Sequence, residues 1–316
     1  MIAILLKKAY REAVRLCTFW LPRERQIAIE RRIRGQEEYK KLRQADLVIV
    51  SFGKSGRTWL RVMMSRFYQL RYGLKERHLI GFDNLHRMNP AIPRIHFTHD
   101  NYIKDYTGNA DSKKDFYDRK VVLMVRDPRD VAVSQYHQWK FRMRPSKKDL
   151  NDYPNHDADI SLHDFVSHPS GITKVIDFMN LWAKERPNLS DLLIVRYEDL
   201  RRDTAHELDR VLRFAGSEPT PAELEESVAF AAIDRMRDME TRKVFWLSGS
   251  RLVAKDKSNP NSFKVRRAKV GGYRDDFEPE QLRAMDDQVD RELASGFGYR
   301  SDEADSYQRD KTAASA

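Results

Sequence analysis

The stretch Leu47-Val48-Ile49-Val50-Ser51-Phe52-Gly53-Lys54-Ser55-Gly56-Arg57-Thr58-Trp59-Leu60 decides the fold. Its first four residues are apolar and mostly β-branched, the pattern of a short strand buried on both faces of a parallel sheet. A helix is predicted from about Thr58 through Trp59, Val62, Met63, Phe67 and Leu70. The tight turn between them suits an anion. The amides of a first helical turn lack intrahelical partners, and the helix dipole favours negative charge there. Gly53 and Gly56 let the backbone turn sharply and approach a ligand, Lys54 brings a positive charge, and Ser55 and Thr58 bring hydroxyl donors. A plain strand-to-helix turn that happens to contain a lysine fits the same letters, so the turn alone is only a candidate phosphate site.

Moving outward, three more strands are predicted at Ile92–Thr98, broken early by Pro93, at Val121–Val125 and at Leu192–Val195. Helices follow the last two, at about Asp130–Phe141 and Thr204–Phe214. Strands alternating with helices predict an α/β fold, a central parallel sheet flanked by helices. Residues 142–160 and 247–264 read as long polar loops, which in a compact domain serve as lids or binding loops. With no repeat or linker visible, the chain divides into a basic helical extension at 1–43, one domain at 44–300, and a polar, disordered tail at 301–316.

The formal net charge is +10, and 34% of the 316 residues are charged, against roughly 25% in an average soluble protein. Such a surplus favours an anionic partner. Twelve Lys and Arg against five Glu fall within residues 1–43. Apolar residues recur there near helical spacing, which fits either a helix packed on the domain or an amphipathic helix lying on an anionic membrane. No apolar run approaches the roughly 20 residues of a membrane span, and the N-terminus lacks the order of a signal peptide. A cytoplasmic location is expected, peripheral to the membrane under the second reading of the helix. The single cysteine, Cys17, rules out an intramolecular disulfide and a cysteine zinc site. The nine histidines show no metal-ligand spacing, so no metal is expected.

The turn is not a Walker A loop. That motif needs a glycine five residues before Gly53, and Val48 stands there, inside the strand. The third strand ends in Arg126-Asp127-Pro128, which admits two readings: Asp127 as a magnesium ligand, or Arg126 as a phosphate grip at a strand tip. Arg126 beside Asp127 competes for the carboxylate and weakens the first. Ser134 follows eight residues after Arg126, early in the next helix.

Ser51–Leu60 resembles the 5′-phosphosulfate loop of the sulfotransferase family, Pro-Lys-Ser-Gly-Thr-Thr-Trp-Leu, with Gly53 in place of Pro and Arg57 in place of the first Thr. Arg126–Ser134 resembles its 3′-phosphate motif, Arg-Asn-Pro-Lys-Asp-x-x-x-Ser. Arg266-Arg267-Ala268 resembles its late Arg-Lys-Gly segment, with Ala268 for Gly, and Arg196-Tyr197-Glu198-Asp199 its strand-end Tyr-Glu-Asp. The resemblance spans roughly residues 45–300. It implies a P-loop-kinase-like sulfotransferase fold and a donor, 3′-phosphoadenosine 5′-phosphosulfate (PAPS), used without a metal. It also implies that Lys54, Ser55, Gly56, Arg57 and Thr58 hold the 5′ end, that Arg126, Ser134, Arg266, Arg267 and Ala268 hold the 3′-phosphate, and that Trp59 and Tyr197 lie near the adenine. Solvated-loop roles for Arg267 and Lys269 remain equally open, and Ile233 takes the place of a second stacking aromatic.

Transfer to a hydroxyl needs a base, and a neutral imidazole suits that near neutral pH. His99 follows a strand end, where parallel sheets line their ligand crevice, and Ile92–His99 resembles the family's Pro-Arg-x-x-Lys-Thr-His segment, whose His is the base. His96 is the weaker rival. Phe97 stands where the family has a lysine that steadies the bridging oxygen, so Lys54 or another cation must cover that duty. The acceptor hydroxyl belongs to a small molecule, glycan or lipid, in a pocket expected from residues 76–95, 142–160 and 247–264; nucleic acid is not an expected partner, and a homodimer stays open. Two other readings compete: a P-loop kinase using ATP and magnesium, and a non-catalytic binder of nucleic acid or membrane.

Overall fold

The computed structural model describes residues 2–245, 252–253, 256 and 258–303. Four parallel strands form one sheet: β1 (Leu47–Ser51), β2 (Ile95–Thr98), β3 (Lys120–Val125) and β4 (Asp191–Arg196), in the order β2-β1-β3-β4. Val48 pairs with His96 on one side and Val121 on the other, and β4 extends the register from Lys120↔Asp191 to Val125↔Arg196. The chain reaches β2 on one side of β1 and then crosses to β3 on the other. The carboxyl ends of β1 and β3 therefore flank the point where the strand order reverses, the place an open α/β sheet reserves for ligand.

Side chains alternate across the strands, and both faces are covered. Leu47 and Ile49 of β1, with Met124 and Val195, pack against Leu60, Met63 and Phe67 of helix Arg57–Tyr72 and against Leu208 and Leu212. Val48 and Val50, with Leu123 and Val125, pack against Ile176, Met179, Trp182 and Val289 on the other face. This is why β1, β3 and β4 carry continuous apolar runs.

The boundaries differ from the sequence expectation where proline intervenes. β2 starts at Ile95, not Ile92, because Pro93 has no N–H to give; the ladder is taken up at Arg94, whose carbonyl accepts from Asp46 and Leu47. The N-terminal region is two helices, α1 (Ile2–Cys17) and α2 (Arg23–Gln44), separated at Pro22. In the sequence-wide numbering that follows, α3 is Arg57–Tyr72, α4 is Ile103–Thr107 and α5 is Pro128–Phe141. α5 opens two residues earlier than expected, on Pro128, with the Asp127 side chain capping the Arg129 amide. Residues 142–160, expected as loop, include the short helix Pro145–Leu150. α2 lies against α4 so closely that a Cβ on Gly35 would stand 2.1 Å from the Tyr102 carbonyl oxygen. Residues 304–316 of the expected tail lie outside the described residues, as does much of 247–257. No described helix is long and apolar enough to cross a membrane.

Candidate active site

A cleft of about 1300 Å³ opens over the carboxyl ends of β1 and β3. The turn after β1 forms its floor. Lys54 takes a positive φ of 75° and Gly56 one of 87°. The glycine is required twice over, because a Cβ there would also stand 2.7 Å from the Tyr197 ring. Gly53, Lys54, Gly56, Arg57 and Thr58 all line the cleft; Ser55 is buried beneath the turn and does not. Burial, with Arg142 and Arg126 nearby, pushes the Lys54 ammonium down to about 7.

Arg126 comes to this turn from the tip of β3. Its Nη1 donates to the Lys54 carbonyl at 3.3 Å, and its Nη2 donates to Asp130 Oδ2 at 3.1 Å and to the Lys269 carbonyl at 3.0 Å. The guanidinium lies over the Tyr197 ring, 4.3 Å from its centroid. Ser134 faces the same cleft. Asp130 also accepts from the amides of Gly271 and Tyr273 at 2.9 and 3.0 Å, so one carboxylate ties the late basic segment to Arg126. In that segment Arg266, Arg267 and Ala268 line the cleft. Arg267 and Lys269 are nevertheless half-exposed and paired with Asp276 and Asp275, so both retain the solvated character left open for them. Ala268 has a φ of 52°, the left-handed conformation a glycine adopts freely.

Asp127 does not face the cleft. Its carboxylate caps α5 and grips Arg129 through both oxygens at 2.9 Å, so the magnesium reading loses its ligand to an ion pair. At the other end, Trp59 and Tyr197 meet edge to face with centroids 6.2 Å apart, and the Trp59 indole donates to the Ala231 carbonyl at 2.9 Å. Ala231, Ile233 and Met236 line the wall beside them, an apolar slot without a second ring.

His99 sits above the turn. Its Nδ1 is 2.8 Å from the Ser51 carbonyl and its Nε2 is 2.6 Å from Arg57 Nη2. A carbonyl can only accept and a guanidinium only donate, so the proton is on Nδ1 and the Nε2 lone pair faces the cleft. Burial, then the Arg57 charge, holds the imidazole well below its ordinary value, which keeps the ring neutral and able to accept a proton. His96 points elsewhere. It is buried outside the cleft, and burial pushes it down to about 3.

Sequence reasoning missed several groups. Lys264 and Arg142 line the cleft beside Lys54. Glu240, fully buried, accepts from Arg142 at 3.1 Å and from the Lys264 and Val265 amides at 2.7 and 3.2 Å, which fixes this cationic corner. Burial and the charges of Lys54, Arg142, Arg61 and Arg57 hold the Lys264 ammonium well below its ordinary value. Arg61 stacks on Phe97, 3.8 Å from the ring centroid. Cations thus surround the position where the family's lysine is replaced. The acceptor end also differs from expectation. Residues 142–153 contribute, as do Val253 and Lys264, but residues 76–95 do not; Leu79, Ile80, Leu85 and Ile92 turn into the core against α3. The missing wall comes from α2 and from residues 97–113. Thr98 Oγ1 donates to Glu38 of α2 at 2.9 Å.

The glycine turn after β1, the Arg126 guanidinium and the oriented His99 imidazole thus share one cleft over a parallel sheet. The sulfotransferase domain family matches residues 44–297, and the chain belongs to it, with the P-loop-like fold of that family. Among curated relatives, sulfotransferase 2A6 of Rattus norvegicus is 26% identical over 179 residues, covering 56% of this chain and 57% of the relative. Cytosolic sulfotransferase 1 of Danio rerio is 24% identical over 267 residues, 78% of this chain and 81% of the relative. The chain thus spans little more than half the length of the first of these. Among solved structures, mouse sulfotransferase SULT7A1 complexed with PAP superposes with a TM-score of 0.55 at 18% identity, covering 83% of this chain and 90% of that one. That likeness is one of fold.

Proposed function

We propose that the protein transfers a sulfuryl group from PAPS to an acceptor hydroxyl by in-line displacement, without a metal. The observation that carries this is the hydrogen bond from Arg126 to the Lys54 carbonyl. It puts the two anion grips side by side, so that one adenosine ligand can be held at both phosphorylated ends. The PAP bound in the mouse sulfotransferase structure, and the similarly folded retinol dehydratase in complex with androsterone and inactive cofactor PAP, support the same donor.

In this reading, the acceptor O–H loses its proton to His99 Nε2 as its oxygen bonds to sulfur. The bond from sulfur to the 5′-phosphate oxygen breaks, and the electron pair stays on that oxygen. Lys54 and the first-turn amides of α3 neutralise the growing charge, an electrostatic role fixed before the reaction begins. Lys264 and Arg142 cover the position left by Phe97. Arg57 occupies the base's lone pair in the ligand-free site, so it must move off before an acceptor can bind, and the donor's anionic sulfuryl group supplies the attraction that draws it away.

The enzyme works in the cytoplasm on a small-molecule, glycan or lipid hydroxyl. The test is transfer of radiolabel from sulfur-labelled PAPS to a panel of hydroxyl acceptors. His99→Ala is expected to lower transfer by about 10²- to 10⁴-fold while leaving the thermal shift induced by 3′-phosphoadenosine 5′-phosphate (PAP) intact. Transfer at the wild-type rate in that variant removes His99 from its role.

A further inference from the structure

Three of the large apolar side chains exposed among the described residues lie within five positions at the end of α1, Leu16, Phe19 and Trp20, which are 72, 77 and 71% exposed, and Tyr10, 58% exposed, precedes them on the helix. Leaving such a cluster in water is unfavourable, and contiguous exposed apolar patches mark interaction surfaces. The same helix turns Glu12 and Arg15 toward the mouth of the cleft, so the patch borders the route into the acceptor end. Its setting is basic on balance: twelve Lys and Arg against five Glu lie in residues 1–43, and Arg15, Arg23 and Arg25 are exposed beside it, with Glu12 and Glu24. The Trp20 indole N–H is already given to the Cys17 carbonyl at 2.9 Å, so the ring asks for no polar partner. An aromatic and aliphatic edge flanked by positive charge complements the headgroup level of an anionic bilayer.

The cleft behind the patch is of opposite character. Arg31 and Arg34 stand along its acceptor end paired with Asp152 and Glu30, with Lys174 and Asp177 beside them. An apolar rim outside and a polar, hydrogen-bonding interior carrying both charges suit a molecule whose tail stays in the bilayer while its polar end reaches in. We infer that residues 10–20 dock on an anionic membrane surface and that the acceptor hydroxyl is carried by the polar headgroup of a membrane lipid. The second half rests on the sulfotransferase reading; the first does not.

The test for docking is co-sedimentation of the full chain with phosphatidylcholine vesicles, with and without phosphatidylglycerol. Binding is expected to the anionic vesicles, at least tenfold weaker to phosphatidylcholine alone, and to fall at least about tenfold in the doubly substituted Phe19→Glu, Trp20→Glu chain. Both positions are exposed, and an unchanged PAP thermal shift shows that the variant is folded. Equal binding by wild type and variant, or none to anionic vesicles, overturns the docking. So does a wild-type dimer that the substitutions convert to monomer without any vesicle binding, since the patch then serves a second copy. For the acceptor, labelled PAPS is incubated with vesicles of total membrane lipid from the producing organism. Label is expected in the organic extract. A chain that responds to PAP yet leaves the lipids unlabelled overturns the headgroup assignment, whereas loss of the PAP response is a failure of the donor reading alone.

Discussion

Nucleotide binding should draw protons from solution. In the ligand-free cleft Lys54 is held near 7 by burial and by Arg142 and Arg126, against an ordinary value of 10.5. A bound 5′-phosphate reverses that balance by placing negative charge beside the ammonium and restoring its ordinary value. At pH 8 a group titrating near 7 is about one-tenth protonated when free and almost fully protonated when bound, so Lys54 takes up about 0.9 proton; at pH 6 the uptake falls to about 0.1. Lys264, also held low by burial and the neighbouring cations, adds to this uptake. Calorimetric titration with PAP in two buffers of different ionisation enthalpy reads the number directly. Linkage sets the sign of two further effects. Because binding takes up protons, affinity falls as pH rises from about 7 toward 10. Because the unfolded chain holds the Lys54 proton through the same window and the folded chain does not, the ligand-free protein gains stability across it. Lys54→Met should lower the uptake at pH 8 by about one proton. Identical heats in both buffers at pH 8 would refute the cationic crowding inferred for this cleft.

Three other outcomes follow from single contacts. Without donor, Arg57 shields the His99 lone pair, so diethyl pyrocarbonate should modify His99 slowly in the wild type and at least tenfold faster in Arg57→Thr, read by peptide mass spectrometry; equal rates would mean that the contact is not a cap. Removing the Arg57 charge also raises the imidazole, so the acid limb of the rate profile should move to higher pH, and an unmoved limb argues against His99 as base. Ala268 sits at φ 52°, where a β-branched residue is disfavoured: Ala268→Val should cost about 1–2 kcal/mol of stability in denaturant melts while Ala268→Gly should be neutral or gain up to about 1, and a valine variant as stable as wild type would contradict that backbone.

The parts legible in the sequence are those fixed by local chemistry. β1, β3 and β4 show because burial on both sheet faces forces uninterrupted apolar runs such as Val121–Val125. The phosphate turn shows because Gly56 must take a positive φ and Lys54 must accompany it. The break at Pro22 between α1 and α2 did not register, and residues 1–43 read as one helical extension. The parts that stayed hidden depend on distant partners. Lys264 is an ordinary lysine in a polar loop until Glu240, 24 positions earlier, pins its amide over Lys54. Asp130 lay within the motif around Arg126, but its second task, holding the Gly271 and Tyr273 amides, joins segments 141 and 143 residues apart. Residues 76–95 were misplaced because their irregular backbone looks like a loop, although Leu79, Ile80, Leu85 and Ile92 anchor it in the core. α2 carries few buried residues, only Gly35 and Leu42, so periodicity gave no sign that it walls the cleft.

On this mechanism one nucleotide spans the Lys54 turn and the Arg126–Ser134 pair. Metal-free thermal shifts with PAP and with ADP test this, since each carries two phosphates but only PAP has one of them at the 3′ position. PAP should raise the melting temperature well beyond ADP at equal concentration, and Ser134→Ala and Arg126→Ala should shrink the difference. Equal shifts from both nucleotides in the wild type would contradict it.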